Sequence, residues 1–385
     1  MQTKAVYIHI PFCTNKCYYC DFNSYVTKNP QLIWEYLYAL EKEMKETVRQ
    51  FPPGEIKTIF VGGGTPTFLD TKQMEYFLEI VARYFPKRSA DLEFTMEANP
   101  GTTDMEKLIV MRHGGVNRIS FGVQSFDDEL LKRIGRIHDS EQVLRSIANA
   151  KAAGFQNLSI DLIFGLPDQT VEQFRDTLDQ AFALDLPHFS SYSLKVEENT
   201  LFYTLYEKDQ LPLPTEEEEV AMYELLMEEM ARHGLLQYEI SNFARPGWES
   251  RHNMTYWHNE YYYGIGAGAH GYINGERHVN AGPLKQYIQL AGEKGLPRVE
   301  QFAVSRTEAM EDHMIMGLRM MRGVSASEFQ KRYGTTLEEQ FGSVIKELIE
   351  LGLVEWNGEM LRLTKRGIPL GNEVFARFLG LVDKV

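Results

Sequence analysis

The stretch Cys13-Thr-Asn-Lys-Cys17-Tyr-Tyr-Cys20 contains all three cysteines of the 385-residue chain, in a C-x3-C-x2-C spacing. Three thiolates on one loop can ligate three irons of a cubane cluster and leave the fourth iron open to a substrate or cofactor. An odd number of cysteines in a long chain without a secretory signal does not suit a disulfide framework. A tetrahedral zinc site needs a fourth ligand, and His9 is the only histidine nearby. The spacing therefore indicates an iron–sulfur cluster.

The composition limits where the protein works and what it binds. Hydrophobic residues make up 43% of the chain, which supports a large core. No run approaches the ~18 consecutive apolar residues of a transmembrane segment, and residues 1–10 read as a strand rather than a signal peptide. We therefore expect a cytoplasmic protein, in a compartment that keeps thiols reduced. The net charge of −14 argues against general nucleic-acid binding, which needs a basic face.

Short apolar strands alternate with amphipathic helices in the first half of the chain. The predicted strands are Ala5–Ile10, Thr58–Val61, Leu92–Glu97, Arg118–Gly122, Ser159–Phe164 and His188–Leu194. The predicted helices are Trp34–Arg49, Thr71–Tyr84, Asp104–His113, Ser140–Ala153 and Thr170–Leu184. Because this alternation gives parallel βαβ units, we predict an α/β fold with a partial (β/α)6 barrel.

The second half of the chain has a different pattern. A long amphipathic helix is predicted over Glu216–Gly234, followed by a segment rich in aromatic residues and glycine. A mainly helical, winged-helix-like module then comprises helix Leu337–Gly352, a hairpin over Leu353–Leu363 and a last helix from about Leu370. Winged helices often bind DNA, but the acidic surroundings favour a protein contact or a lid. The predicted divisions are a barrel over 1–235, a connecting region over 236–300 and the C-terminal module over 301–385.

Glycine-rich or polar residues follow the predicted strands, at the edge where β/α barrels place their active sites. Gly62-Gly63-Gly64-Thr65 follows the second strand, and glycines there let the backbone approach a ligand. Glu97 ends the third strand, where its carboxylate could accept hydrogen bonds from a ribose or an amine. The remaining polar candidates near this edge are Gln124, Arg136 and Asp161.

Together these segments resemble the oxygen-independent coproporphyrinogen III oxidase family of radical S-adenosylmethionine (SAM) proteins. The matching motifs are C-x3-C-x2-C, GGGTPT, Glu97-x-x-Pro, Gly122-Val-Gln124-Ser-Phe and Ile160-Asp-Leu-Ile-x-Gly-Leu-Pro. The resemblance covers essentially the whole chain. It implies a 4Fe-4S cluster on Cys13, Cys17 and Cys20, with SAM on the open iron. It also implies SAM contacts at Tyr7, Tyr19, Gly63, Gly64, Thr65, Glu97, Gln124, Arg136 and Asp161. Because the oxidase can hold two SAM molecules, whether these residues line one SAM site or two stays open.

Departures from the oxidase pattern indicate a different branch of the family. The oxidase carries a fourth cysteine where this chain has Phe22, and an N-terminal extension where this chain starts with its first strand. The run Arg251-His252-Asn253-Met-Thr-Tyr256-Trp257 is similar to the H-N-x-x-Y-W motif of a haem chaperone branch. Members of that branch are expected to bind haem and pass it to respiratory haem proteins rather than decarboxylate coproporphyrinogen.

The haem ligand is open at this point. His252 is a candidate because neutral imidazole is a good ligand for haem iron, and Tyr256 and Trp257 could stack on a porphyrin face. Without the resemblance to this motif, we would interpret His252 as a structural histidine held by hydrogen bonds. His258 and His270 lie close by in sequence and cannot be ranked against it.

The sequence thus predicts a cytoplasmic haem chaperone that binds a 4Fe-4S cluster, SAM and haem, with a cluster that could also support a homodimer. The alternative is an authentic radical SAM enzyme, either the coproporphyrinogen III dehydrogenase, which catalyses an oxidative decarboxylation, or an enzyme with another substrate. A DNA-binding regulator that uses the C-terminal module is a third hypothesis. The residues leave open whether SAM is cleaved productively.

Overall fold

Parallel strands and flanking helices build the first half of the chain, in a computed structural model that describes residues 2–380. The elements up to residue 206 are β1 (Ala5–Ile10), β2 (Phe12–Cys13), β3 (Tyr25–Val26), α1 (Pro30–Gln50), β4 (Ile56–Gly63), α2 (Thr71–Tyr84), β5 (Arg88–Ala98), α3 (Met105–His113), β6 (Arg118–Gln124), α4 (Asp128–Arg133), α5 (Ser140–Ala152), β7 (Asn157–Phe164), α6 (Val171–Ala183), β8 (His188–Ser193) and α7 (Leu201–Tyr206). A short 3-10 helix, Pro66–Phe68, follows β4.

Each predicted strand and helix of this half is present, with ends that differ by a few residues. Local signals set several of the helix starts. Asp70, Asp139 and Thr170 each form a capping box with a glutamine three residues later, so α2, α5 and α6 begin where a side chain satisfies the first free N–H groups.

The barrel strands β1, β4, β5, β6, β7 and β8 lie side by side in that order, and each pair of neighbours is parallel. Their apolar side chains and those of the surrounding helices form one large buried core. This arrangement confirms the α/β fold with a partial (β/α)6 barrel. The carboxyl ends of the six strands meet at one edge, which we call the mouth.

The middle of the chain contributes further strands to the same sheet. Its elements are α8 (Glu216–Arg232), β9 (Leu236–Glu239), β10 (Asn242–Ala244), α9 (Arg251–Trp257), β11 (Tyr262–Ile265), β12 (His270–Ile273), β13 (Glu276–Asn280), α10 (Leu284–Lys294) and β14 (Arg298–Ala303). Strand β11 pairs in parallel with β1 and is followed outward by antiparallel β12, β13 and β14, while β10 and β9 extend the sheet beyond β8. These strands were not predicted, and the divisions at residues 235 and 300 remain predictions.

The last part of the described chain is a mainly helical module with its own core. Its elements are α11 (Arg306–Gly317), β15 (Val324–Ser325), α12 (Ala326–Tyr333), α13 (Leu337–Glu350), β16 (Val354–Trp356), β17 (Met360–Leu363) and α14 (Gly371–Ala376). The hairpin β16–β17 and the short β15 form a small antiparallel sheet beside the helices, as the prediction of a winged-helix-like module requires. No helix within residues 2–380 is long and apolar enough to cross a membrane.

Candidate functional site

The cysteine loop leaves β1 and crosses the mouth of the barrel. Phe12 is fully buried at its start, and the Tyr25 N–H donates to the carbonyl of Pro11 at 2.7 Å, which closes the loop on itself. Farther along, the Tyr18 N–H donates to the Ile134 carbonyl at 3.1 Å. Backbone contacts therefore fix the loop at its base and again between the second and third cysteines.

The three thiols are unpaired, partly exposed and close enough to influence one another. Burial, supported by the neighbouring thiols Cys17 and Cys13, raises the pKa of Cys20 to about 11, although the Phe22 N–H opposes the shift. Burial also raises the pKa of Cys13, while its contact with Thr65 Oγ1 at 3.6 Å opposes the shift. Thiolates that repel each other in this way favour a bound cation as compensation.

The donor set fits a cluster better than a single ion. Among residues 2–380, no group of three His, Cys, Asp or Glu side chains could hold one metal ion. A tetrahedral zinc site needs four ligands on one ion, whereas the cysteine loop supplies three thiols. A cubane cluster has no such requirement, because each thiolate binds a different iron.

Gly63 and Gly64 bring the loop after β4 directly against the cysteine loop. Gly63 has φ +114°, and a Cβ atom there would lie 2.5 Å from the ring of His9. A Cβ atom on Gly64 would lie 2.6 Å from the carbonyl oxygen of Phe12. A side chain at either position would collide with these atoms, so both positions require glycine. The two glycines let the backbone after β4 lie directly against β1 and the cysteine loop, and they leave that backbone open to a ligand at the mouth.

Two half-buried carboxyl groups, those of Glu97 and Asp161, lie near the mouth. Burial raises the pKa of Glu97 to about 8, with a further contribution from the charge of Asp161, and the Gly63 N–H donates to Glu97 Oε2 at 3.1 Å. Burial also raises the pKa of Asp161, while a 3.2 Å hydrogen bond from Ser120 Oγ works in the opposite direction. A cationic ligand beside them would favour ionisation of both groups.

Gln124 and Arg136 offer polar atoms that the protein itself leaves without a partner. Gln124 ends β6 with φ +71°, which is uncommon outside glycine, and its buried Oε1 has no hydrogen bond. Arg136 donates from Nη1 to Cys17 Sγ at 3.4 Å and from Nη2 to the Gly122 carbonyl, while its buried Nε has no acceptor. Because buried polar groups are nearly always bonded, these atoms fit a polar ligand such as SAM.

Asn99 is a site residue that the sequence did not single out. Its Oδ1 accepts from Arg136 Nη2 at 2.7 Å, and its Nδ2 donates to Thr65 Oγ1 at 2.8 Å. These two partners in turn contact Cys17 and Cys13. The asparagine in the Glu97-x-x-Pro motif was therefore the available signal, but an amide beside a proline usually indicates only a turn.

The predicted SAM residues fall into two groups. Thr65 and Arg136 contact the thiols, and Tyr19 packs in a small core under the loop. Tyr7, Gly63 and Glu97 line a neighbouring space of about 320 Å³ beside the cysteine loop, which we call the mouth cavity. The other lining residues of the mouth cavity are His9, Phe22, Asn23, Tyr256, Tyr262, Gly268, Ala269 and His270.

His252, the first residue of the H-N-x-x-Y-W motif, has no exposed surface. Its Nδ1 lies 2.9 Å from Thr58 Oγ1 and its Nε2 lies 2.8 Å from Tyr256 Oη, so both ring nitrogens are hydrogen-bonded. Burial, followed by the charge of Arg118, lowers the pKa of His252 to about 3. This arrangement argues against His252 as an iron ligand and for the structural interpretation.

The two other candidate residues of the motif, Tyr256 and Trp257, point to different parts of the protein. Tyr256 reaches the mouth cavity, whereas Trp257 does not line it. The Trp257 ring instead stacks under the guanidinium of Arg319, whose Cζ lies 4.5 Å from the ring centroid. The motif therefore joins the cavity wall to a segment just before the C-terminal sheet.

The two remaining histidine candidates also differ. His258 Nε2 accepts a 2.6 Å hydrogen bond from Arg322 Nη2, and burial lowers the pKa of His258 to about 4. His270 is exposed, lines the mouth cavity and makes no side-chain hydrogen bond within the described part of the chain. Of the three histidines, His270 alone has a ring free to bind a ligand in this cavity.

The fold and the cysteine loop define a radical SAM protein. Residues 7–181 match the radical SAM superfamily, and residues 304–370 match the HemN C-terminal domain. Membership of that superfamily implies a 4Fe-4S cluster and SAM.

The chain belongs to the family of proteins named heme chaperone HemW. It is 49% identical over 378 residues to the heme chaperone HemW of Bacillus subtilis, covering 98% of this chain and 99% of the relative. It is 41% identical to the heme chaperone HemW of Lactococcus lactis, covering 98% of each chain. Among solved structures it resembles the coproporphyrinogen III oxidase HemN of Escherichia coli, a radical SAM enzyme, with a TM-score of 0.86, 25% identity, and coverage of 98% of this chain and 90% of that chain.

Proposed function

We propose that this protein is a cytoplasmic haem chaperone that binds a 4Fe-4S cluster and SAM and delivers haem to respiratory haem proteins. The name shared by its full-length relatives supports a role in haem handling. The observation that carries the proposal is the mouth cavity, where an unbonded histidine and an exposed aromatic ring lie beside the cysteine loop. Imidazole and aromatic faces are the groups that hold haem in proteins.

In this proposal Cys13, Cys17 and Cys20 would hold the cluster, which would supply a one-electron donor beside bound SAM. The residues of this chain position SAM. Arg136 Nε can donate to a ligand carboxylate and Gln124 Oε1 can accept a hydrogen bond, since neither atom has a partner in the protein. The proposed SAM contacts are Tyr7, Tyr19, Gly63, Gly64, Thr65, Glu97, Gln124, Arg136 and Asp161.

We assign the haem ligand to His270 rather than His252. Phe22, at 61% exposure, lines the same cavity and can pack on a porphyrin face. Tyr256 contributes another ring to the wall, and His252 holds the Tyr256 hydroxyl from behind. In this assignment His252 is a positioning residue, and Trp257 keeps the motif against the C-terminal segment without touching haem.

Titration of haem into the reconstituted protein tests the assignment. We expect His270→Ala to weaken haem binding and to change the Soret band, because the iron loses an axial ligand. His258→Ala is the matched control, since its imidazole is bonded to Arg322 outside the cavity, and should leave the spectrum unchanged. A wild-type spectrum and affinity in His270→Ala, with a changed spectrum in His252→Ala, would return the assignment to His252.

The rival function is that of a radical SAM enzyme such as the coproporphyrinogen III dehydrogenase. The similarity in fold to HemN favours it, as do the half-buried carboxyl groups of Glu97 and Asp161 at the mouth. Loss of substrate carboxyl groups in step with SAM consumption would establish it.

A homodimer is a further prediction, which sedimentation of the cluster-loaded and cluster-free protein would test.

A further inference from the structure

A second cavity lies next to the cysteine loop, between the segments that follow β4 and β5 and the helices α3 and α5. It has a volume of about 480 Å³ and lies between the start of α3 and the middle of α5, so we call it the α3–α5 cavity. One wall is Thr14, which sits between the first two cysteines. None of the proposed SAM or haem residues lines it.

A buried cation lies in this cavity. Lys107 is only 8% exposed, and its Nζ donates to the carbonyls of Thr67 at 2.8 Å and Thr102 at 3.0 Å. No carboxylate within residues 2–380 lies within 4.0 Å of that ammonium group. The carboxylates of Asp104 and Asp70 therefore act on this ammonium group only through space, without a direct ion pair.

A buried hydroxyl in the same wall also lacks a partner. Thr103 is 5% exposed, and its Oγ1 makes no hydrogen bond. The adjacent α3 begins here, and the Asp104 side chain caps only the Lys107 N–H at 2.8 Å, which leaves the other first-turn N–H groups without intrahelical partners. Several donors therefore meet at this end of α3.

The facing wall supplies a second cation. Arg145 on α5 is exposed and makes no hydrogen bond or ion pair within the described chain. The walls thus combine two cations, an unbonded hydroxyl and a helix amino terminus. The carboxylate of Asp104 lies in the same wall, and that of Asp70 also acts on Lys107. This donor chemistry is the kind that binds phosphate.

We propose that the α3–α5 cavity binds the phosphate group of a small-molecule ligand. Arg145 and Lys107 supply the charge, and Thr103 supplies a hydroxyl donor. This cavity shares no lining residue with the mouth cavity, and the proposal does not depend on the haem or SAM assignments.

A continuous set of hydrogen bonds connects this cavity to the thiols. Thr67 Oγ1 lies 2.7 Å from Thr102 Oγ1, which donates to the Asn99 carbonyl at 2.6 Å. The Asn99 side chain then contacts Thr65 and Arg136, which reach Cys13 and Cys17. A phosphate in this cavity would therefore lie beside Thr14 of the cysteine loop.

Binding of inorganic pyrophosphate to the full-length reconstituted protein, measured by calorimetry at low salt, tests the site. We expect saturable 1:1 binding that Arg145→Gln weakens by about tenfold or more, because one charge-assisted hydrogen-bond partner is lost. Thr103→Val should weaken it by a smaller factor. Lys151→Gln removes another exposed cation from α5, outside the cavity, and should bind like the wild type.

Three results would overturn the proposal. The first is no saturable binding of pyrophosphate. The second is an equal loss in Arg145→Gln and Lys151→Gln, which would mean attraction by surface charge alone. The third is displacement of pyrophosphate by saturating SAM, which would place the anion at the mouth on Arg136 instead. Arg145 is exposed, so its variant should fold even if a Lys107 variant does not.

Discussion

Asn99 Oδ1 accepts a 2.7 Å hydrogen bond from Nη2 of Arg136. The contact joins the carboxyl end of β5 to the segment after α4, and Arg136 continues from it to Cys17. Asn99 thus fixes the orientation of a guanidinium that keeps one buried N–H unbonded and available. The positions of Arg136 and Thr65 beside the thiols therefore depend on the Asn99 amide, which contacts no thiol itself.

Replacement of Asn99 by alanine should weaken SAM binding by about tenfold while the iron content stays unchanged, because Arg136 and Thr65 lose a buried partner but the thiols remain. Calorimetry of SAM binding on reconstituted protein measures this. Asn99→Asp is the informative companion, since it keeps the acceptor for Arg136 and removes the donor to Thr65. Unchanged SAM affinity in Asn99→Ala would show that Arg136 needs no such support.

Serine in place of Cys13, Cys17 or Cys20 should abolish a stable four-iron cluster in each single variant. The chain contains no other thiol to replace the lost ligand. Iron and sulfide analysis after anaerobic reconstitution measures the outcome. A full cluster in any one variant would remove that cysteine from the ligand set.

Binding of SAM should release protons at pH 7, because Glu97 has a pKa of about 8 and is mostly protonated there. A sulfonium cation nearby favours the ionised carboxylate, so SAM affinity should rise as pH increases through 8 and then level off. Calorimetry in two buffers of different ionisation enthalpy counts the protons. Glu97→Gln should release fewer; equal release in both proteins would show that Glu97 does not face the cation.

Glu43 on α1 should be a strong determinant of stability. It is fully buried and accepts hydrogen bonds from Tyr287 Oη at 2.5 Å, Asn280 Nδ2 at 2.6 Å and the Gly266 N–H at 2.8 Å. Glu43→Ala should cost about 2–4 kcal/mol of unfolding free energy, since it leaves buried donors unsatisfied, whereas Glu43→Gln should cost less. Urea denaturation measures both.

The same residue should make stability depend on pH. Burial raises the pKa of Glu43 from 4.5 to about 7, so the folded protein holds this proton more tightly than the unfolded chain does. Its contribution is complete below pH 4.5 and is lost as pH rises through 7. The wild type should therefore lose stability relative to Glu43→Gln between pH 5 and 8. Parallel pH profiles would contradict the assignment.

The sequence predicted the barrel because its strands and helices are long and periodic, with strong helix caps such as the Asp70 box. It missed β11 to β14 because these short strands carry glycine and aromatic residues without alternation, and their pairing with β1 is decided by distant parts of the chain. The H-N-x-x-Y-W motif that begins at His252 was recognised from its amino-acid sequence alone. Its burial depends on contacts with Thr58, which lies 194 residues away, and no local pattern reveals it.

The most direct test of the account is a pair of assays on one anaerobically reconstituted sample. Haem titration should give stoichiometric binding with a ligand-dependent Soret band, and coproporphyrinogen with SAM and a reductant should not be decarboxylated. Phe22→Cys, which restores the cysteine of the oxidase pattern, should not create that activity. Decarboxylation by the wild type without haem binding would contradict the chaperone function.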